Sequence, residues 1–244
     1  MTQLETVRHW IDAAAHIAVL TGAGVSAESG VPTFRDAQTG LWAQFNPEDL
    51  ATEAAFRAHP QRVWDWYTHR RDVLSGVSPN AGHLALARFA QHHPGRLTLI
   101  TQNVDGLHQR AGNADAIALH GNIAEDRWLD VPRRCCEANR AEPGHPPRCA
   151  VCGNLRRPAV VWFGENLPQY ALDAAEAAAQ AFDLLLVVGT SGLVYPAAGL
   201  ALTAHQSGAR VIIINPETTE LDQVADACLR EPAAQYLPLL LELS

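Results

Sequence analysis

Short apolar runs, separated by stretches with helical spacing, organise this chain. The runs lie at residues 17–20, 97–101, 116–119, 184–188 and 211–214 and predict strands. Those at 184–188 and 211–214 are wholly apolar, which predicts burial on both faces of a sheet. Apolar residues three or four apart predict helices at about residues 4–15, 47–51, 60–74, 81–91, 170–181, 196–206, 219–225 and 233–242. Strands that alternate with helices predict an α/β fold with a Rossmann-like, doubly wound parallel sheet.

Two segments interrupt this alternation. Residues 41–78 have a mainly helical pattern, and residues 121–157 are rich in proline, arginine and cysteine without apolar periodicity. They predict a smaller inserted part, helical and zinc-ribbon-like, beside a large part formed by about residues 1–40, 79–120 and 158–244. We therefore expect one domain with two parts over residues 1–244.

Composition and charge exclude some classes of protein. The formal net charge of -8 argues against a general nucleic-acid binder and against a protein that binds anionic membranes. No run of 18 apolar residues predicts a transmembrane helix, and the first residues lack a signal-peptide pattern. A cytoplasmic location is the expectation.

Glycine and polar residues follow the apolar runs at residues 22–30, 102–105, 189–191 and 215–217. The carboxyl ends of parallel strands line one crevice, which is where open α/β sheets bind ligands. Gly22, Gly24 and Ala27 fit the pattern G-x-G-x-x-A, which predicts close approach to a pyrophosphate and a helix start that faces it. A hydride-transferring dehydrogenase carries an acidic residue about 20 positions later, but this chain has a loop with Phe34 and Arg35 instead. That difference counts against hydride transfer.

Four of the five cysteines fall within eighteen residues, which in a cytosolic protein suggests a metal site more than disulfides. Cys149 and Cys152 have the spacing of half a zinc knuckle. Cys135 and Cys136 are adjacent, which is unusual for two ligands of one tetrahedral ion. The alternatives are three cysteine ligands, recruitment of His145, all four thiolates in strained geometry, or no zinc.

Three further side chains have chemistry that a site can use. His120, after the run at 116–119, is either a satisfied polar residue or a general base, because imidazole titrates near neutral pH. Tyr67 and Arg70 share a helix face and together can bind a carboxylate. The simpler alternative is an exposed helix on which Arg70 pairs with Asp65.

The chain resembles the sirtuins over most of its length. The motifs that carry this resemblance are GAGVSAESGVPTFR at 22–35, TQNVD at 101–105, LHG at 119–121, VWFGE at 161–165, GTS at 189–191 and NPE at 215–217. Sirtuins are NAD-dependent protein-lysine deacylases, so the resemblance implies an enzyme that converts NAD and an acyl-lysine protein or peptide into nicotinamide, O-acyl-ADP-ribose and free lysine. It implies that His120 is the catalytic base and that Asn103 assists at the nicotinamide end. The implied NAD-binding residues are Gly22, Ala23, Gly24, Thr33, Phe34, Arg35, Gln102, Asn103, Asp105, Gly189, Thr190, Ser191, Asn215, Glu217 and Ala233.

The same resemblance implies a substrate and a structural metal. In class III sirtuins, a Tyr-x-x-Arg pair like Tyr67 and Arg70 reads the distal carboxylate of succinyl- or malonyl-lysine, and small Ala51 would leave room for the longer acyl chain. Acetyl-lysine removal is compatible with this pair. The peptide would bind as a strand beside Val161, Phe163 and Gly164. Structural zinc would be held by Cys135, Cys136, Cys149 and Cys152. Two alternatives stay open: a mono-ADP-ribosyltransferase, and a catalytically silent NAD sensor.

Overall fold

The computed structural model describes residues 2–32, 46–137 and 141–241. The strands are β1 (Ile17–Thr21), β2 (Leu97–Thr101), β3 (Ile117–Ala118), β4 (Gly121–Trp128), β5 (Ala141–Glu142), β6 (Arg148–Cys149), β7 (Arg156–Val160), β8 (Leu184–Val188), β9 (Arg210–Ile214) and β10 (Ala227–Leu229). The α-helices are α1 (Gln3–Ala13), α2 (Glu53–Ala58), α3 (Pro60–Ser75), α4 (Ala81–His92), α5 (Leu107–Ala111), α6 (Arg134–Glu137), α7 (Gln169–Ala181), α8 (Gly199–Gln206) and α9 (Ala233–Leu241). Short 3-10 helices cover Ala23–Ser29, Pro47–Asp49 and Glu220–Val224.

A parallel sheet with strand order β10-β9-β8-β1-β2-β3 forms the centre of the large part. Every residue of β1 and β8 is buried, as the wholly apolar run of β8 predicts. Residues of α1, α4 and α9 pack in one cluster on one face, and residues of α7 and α8 pack in another on the opposite face. The predicted doubly wound α/β fold is therefore confirmed.

A third apolar cluster is separate from the two that cover the sheet. It joins α2 and α3 to the antiparallel strands β4 and β7, and its largest members are Phe56, Trp64 and Trp162. Strands β5 and β6 form a separate antiparallel pair beside the cysteines. The proposed boundaries between the two parts stay a prediction.

Several elements differ from the sequence prediction. Strand β10 has three residues, and β4 carries three charged residues and is exposed over residues 124–127, so neither gives an apolar periodic signal. Helices α2 and α5 are five or six residues long and were not predicted. The segments expected to be α-helical near 47–51 and 219–225 are 3-10 helices instead. In the part of the chain that is described, no helix combines the length and apolar character needed to cross a membrane.

Candidate active site

The strand ends meet at one level, as the sequence predicts. Thr21 pairs in register with Thr101 of β2 and with Val188 of β8. The backbone continues this alignment, because Gln102 N–H donates to the Thr21 carbonyl and Gly22 N–H donates to that of Val188. The loops that follow β1, β2 and β8, together with His120, line what we call the strand-end crevice.

The glycine loop is built differently from the expected strand-to-helix turn. Ala23–Ser29 is a 3-10 helix, and Ala27, which in the G-x-G-x-x-A pattern allows close packing of helix on strand, is exposed and does not pack there. A Cβ on Gly24 would lie 2.7 Å from Gly189 Cα, and a Cβ on Gly189, whose φ is +59°, would lie 2.4 Å from Val25 N. These glycines are therefore required because the two loops touch each other, a role that the motif alone does not reveal.

A polar network orients the side chains after β2. Asn103 Nδ2 donates to the Gly22 carbonyl at 3.1 Å and to Ser26 Oγ at 3.2 Å. Ser26 Oγ donates to Asp105 Oδ2 at 2.8 Å, and Leu107 N–H donates to Asp105 Oδ1 at 2.9 Å. Asn103 and Asp105 are thus fixed by the protein itself, and the structure brings both into the crevice as predicted.

Two buried histidines lie beneath this network and were missed by the sequence reasoning. Ring centroids of His83 and His108 are 4.8 Å apart. Burial lowers the pKa of His83 to about 4 and that of His108 to about 3, so both rings are neutral at pH 7. His83 Nδ1 accepts the Asn80 N–H, which leaves Nε2–H to donate toward Ser26 Oγ at 3.4 Å. His83 and His108 lie within helices, and their neighbours in sequence form no recognisable motif. Of the residues in this network, Ser26 could be noticed from the sequence because it belongs to the glycine motif.

His120 is held as a neutral imidazole with one nitrogen available. Its Nδ1 lies 2.8 Å from the Gln102 carbonyl, which only accepts, so Nδ1 carries the proton and Nε2 carries the lone pair. Burial lowers the pKa of His120, and the Gln102 hydrogen bond opposes that shift in part. Gly121 must be glycine, since its φ is +79° and a Cβ there would lie 2.0 Å from the Ala159 carbonyl oxygen. In the LHG sequence, Leu119 is buried, His120 is the candidate base, and Gly121 forms a turn that requires glycine.

The remaining predicted NAD positions divide into two groups. Gln102 Nε2 donates to Thr190 Oγ1 at 3.1 Å, and Asn215 Nδ2 donates to the Glu217 carbonyl at 2.8 Å, so these residues lie at the ends of β2, β8 and β9. Ala233, in contrast, is the first residue of α9 and is 3% exposed within the core. Thr33, Phe34 and Arg35 lie outside the described residues.

Tyr67 and Arg70 do share one face of α3. Tyr67 is 3% exposed, and the Arg70 guanidinium carbon lies 4.8 Å from the Trp66 ring centroid and 5.8 Å from that of Tyr67. Burial lowers the pKa of Arg70, with the neighbouring Tyr67 and Asp105 opposing that shift, but a guanidinium stays cationic at neutral pH. We call Tyr67 and Arg70 the acyl wall.

The alternative partner of Arg70 is occupied elsewhere. Asp65 Oδ1 lies 3.1 Å from His145 Nδ1. Asp65 therefore pairs with His145, and the alternative in which Arg70 pairs with Asp65 is not observed. Within residues 2–32, 46–137 and 141–241, no carboxylate forms an ion pair with Arg70. Arg70 is therefore a cation that faces the aromatic rings with no described carboxylate in ion-pair contact, and Asp105 acts on it only from a longer distance.

The residues expected to bind the peptide lie on the segment that directly follows β7. Phe163 N–H donates to the Ala51 carbonyl at 2.8 Å, and Val161 N–H donates to that of His120 at 2.9 Å. Phe163 is 59% exposed, and Gly164 has φ of +84° with open space at its Cα. These contacts bring Ala51, the predicted peptide segment and His120 into one continuous arrangement.

The four clustered cysteines form the group suited to a metal ion among the described residues. Their sulfur atoms all lie within 4.8 Å of one another, and Cys136 Sγ is 3.5 Å from Cys152 Sγ. Tetrahedral zinc, with Zn–S bonds of about 2.3 Å, fits such a set. Backbone amides of Cys152 and Val151 lower the pKa of Cys149 to about 7, which favours its thiolate. The adjacent pair therefore contributes both sulfurs, whereas His145, 67% exposed and bonded to Asp65, is not a member of the group.

Comparison with known proteins gives a consistent result. The profile described as Sir2 family matches residues 22–196. A protein of Ralstonia nicotianae named NAD-dependent protein deacylase is 60% identical over 96% of this chain and 94% of its own length. One of Aquifex aeolicus with the same name is 48% identical over 91% and 92% of the two chains.

Solved structures with the same fold include complexes. A Sir2 homologue with NAD has a TM-score of 0.84 at 40% identity, with 97% of this chain and 92% of that chain covered. A complex of Sir2, p53 peptide and NAD+ has a TM-score of 0.82 at 31% identity, with 97% and 96% covered.

Proposed function

The chain belongs to the Sir2 family, as its motifs predicted, and we propose that it removes acyl groups from protein lysines with NAD as co-substrate, preferring acyl groups that end in a carboxylate. One water is consumed, and the products are free lysine, nicotinamide and O-acyl-ADP-ribose. The relatives named NAD-dependent protein deacylase and the chemistry of the strand-end crevice support the reaction. The acyl wall supports the preference.

The strand-end crevice has the donor set that NAD requires. In the loops of Gly22–Gly24 and Gly189–Ser191, the glycine amides bond to carbonyls of the protein. The amides of Ala23, Thr190 and Ser191 have no acceptor among the described residues, which leaves them as donors for a pyrophosphate. Asn103 and Asp105 are assigned to the nicotinamide end, and Asn215 with Glu217 to the adenosine ribose. Bound NAD supplies a ribose carbon whose bond to nicotinamide breaks when the acyl oxygen attacks.

His120 takes a proton at Nε2 in this proposal. With Nδ1–H held by the Gln102 carbonyl, Nε2 is oriented as the acceptor for a ribose hydroxyl. Because burial lowers the pKa of His120, the imidazole is in its basic form at neutral pH. Asn103, held by Gly22 and Ser26, positions the reacting ribose rather than exchanging protons.

The acidic preference rests on one observation, the Arg70 cation that stacks on Trp66 and Tyr67 without a carboxylate among the described residues. A desolvated cation with no carboxylate in contact is unfavourable, so a substrate carboxylate is stabilised there by charge and by two N–H donors. Ala51 is 7% exposed, and its small side chain leaves room for the acyl chain. Zinc on the four cysteines stabilises the smaller part and takes no part in catalysis. The clustered cysteines favour a reducing compartment, and we propose the cytoplasm.

The test compares succinyl-lysine and acetyl-lysine forms of one peptide, with and without NAD. The Arg70→Met variant should lose roughly 10- to 100-fold in kcat/KM for the succinyl peptide, because a charge-assisted hydrogen-bonded pair is lost, and far less for the acetyl peptide. Arg62→Met is the matched control, since Arg62 is an exposed arginine on the same helix. Equal losses on both peptides would refute the carboxylate preference.

The same assay separates the two alternatives. ADP-ribose retained on protein, with no acyl removal, would indicate a mono-ADP-ribosyltransferase. NAD binding without nicotinamide release from either peptide would indicate a silent sensor. Either outcome would overturn the deacylase proposal.

A further inference from the structure

We infer that Trp162 is a positioning residue for acyl specificity, fixing the Tyr67 hydroxyl so that its proton points to the acyl carboxylate. This inference rests on the proposed acidic preference and assigns a residue to it that lies outside the Tyr67–Arg70 pair. Trp162 and Tyr67 are 95 residues apart in sequence and meet through one hydrogen bond.

That hydrogen bond determines the direction of the phenol proton. Trp162 Nε1–H donates to Tyr67 Oη at 2.9 Å, and both side chains are buried. An indole N–H can only donate, so Tyr67 Oη accepts in this bond and its own proton must point elsewhere. Among the residues that the structure describes, no acceptor takes the Tyr67 O–H, so this donor is still available.

The available proton lies beside a second set of available donors. The Arg70 guanidinium carbon is 5.8 Å from the Tyr67 ring centroid and has no described carboxylate partner. A hydroxyl and a guanidinium that both lack an acceptor are best satisfied together by one carboxylate. Burial raises the pKa of Tyr67, so the phenol keeps this proton at neutral pH.

Two neighbouring side chains and a backbone hydrogen bond hold Trp162 in place. The Arg157 guanidinium carbon lies 3.3 Å from its ring centroid, and the Phe56 ring lies 5.2 Å away. Glu165 accepts the Trp162 backbone N–H at 2.9 Å and is itself bound by Arg157 and Arg127. Burial alone would raise the pKa of Glu165, but Arg157 and the Trp162 N–H outweigh it and keep the carboxylate ionised.

Trp162 also links two parts of the substrate site. Its neighbours Val161 and Phe163 form the predicted peptide-binding segment, and Phe163 N–H bonds to the Ala51 carbonyl. The residue that bonds to the Tyr67 hydroxyl therefore lies within the predicted peptide-binding segment.

The test is the Trp162→Phe variant, which keeps an aromatic ring and removes the N–H. The ratio of kcat/KM for the succinyl peptide to that for the acetyl peptide should fall roughly 3- to 10-fold, chiefly through KM of the succinyl peptide. A double-mutant cycle with Tyr67→Phe supplies the decisive readout. Because Trp162 acts through the Tyr67 hydroxyl, its substitution should change the ratio no further in the Tyr67→Phe background.

Three results would overturn the inference: an unchanged ratio in Trp162→Phe, an equal kcat loss on both peptides, or an undiminished effect in the Tyr67→Phe background. If Arg70→Met is selective while Trp162→Phe is not, only this inference fails. If Arg70→Met is not selective, the proposed preference fails. Should Trp162→Phe not fold, a benzothiophene isostere at Trp162, which has the ring volume without the N–H, tests the same bond.

Discussion

The strand-end crevice and the acyl wall differ in how their polar atoms are satisfied. In the crevice, Asn103, Asp105 and Ser26 bond to one another and to the backbone. In the acyl wall, Arg70 and the Tyr67 hydroxyl have donors that no described residue accepts. A satisfied network holds groups in fixed orientation, whereas available buried donors favour one class of ligand over another. The difference assigns reaction to the crevice and selection to the acyl wall.

The largest expected effect comes from a substitution that disables the strand-end crevice and leaves the acyl wall intact. His120→Ala removes the proposed base, so kcat should fall roughly 10²- to 10⁴-fold on succinyl and acetyl peptides alike. His205→Ala, at an exposed histidine of α8, is the control. A loss confined to one peptide, or an unchanged rate, would contradict the division between the two regions.

The metal group should affect stability without affecting selectivity. Cys149→Ala should abolish stoichiometric zinc, measured by elemental analysis, and lower Tm, because the ion joins α6 to the Cys149–Cys152 turn. Cys228→Ala, at the cysteine of β10 outside the group, should keep its zinc. Full zinc content in Cys149→Ala would contradict the four-cysteine site.

The smallest expected effect lies in the pH dependence of the rate. Since burial lowers the pKa of His120 below its usual 6.5, the base is neutral above that lowered value and is lost as pH falls through it. The acidic limb of kcat against pH should therefore lie below pH 6.5, and an acidic limb above 6.5 would contradict the assigned environment.

The sequence predicts those features that arise from local pattern. The bounds of β2 and β8 match the predicted runs to the residue. The signal is uninterrupted in β8, which is apolar and buried along its whole length, whereas β2 contains two threonines and is only half-buried at its start. The convergence of Gly22, Gln102 and Gly189 follows from parallel topology. Contacts between distant segments carry no such pattern: the His83–His108 pair, the close approach of Gly24 and Gly189, and the Trp162–Tyr67 bond all depend on packing.

The most direct measurement of the central claim is a competition assay on the wild-type protein. Equal concentrations of succinyl-lysine and acetyl-lysine peptides compete for limiting NAD, and the two O-acyl-ADP-ribose products are quantified by mass spectrometry. We predict that O-succinyl-ADP-ribose is the major product, with one nicotinamide released per acyl group removed. A majority of O-acetyl-ADP-ribose, or acyl removal without NAD, would contradict the account.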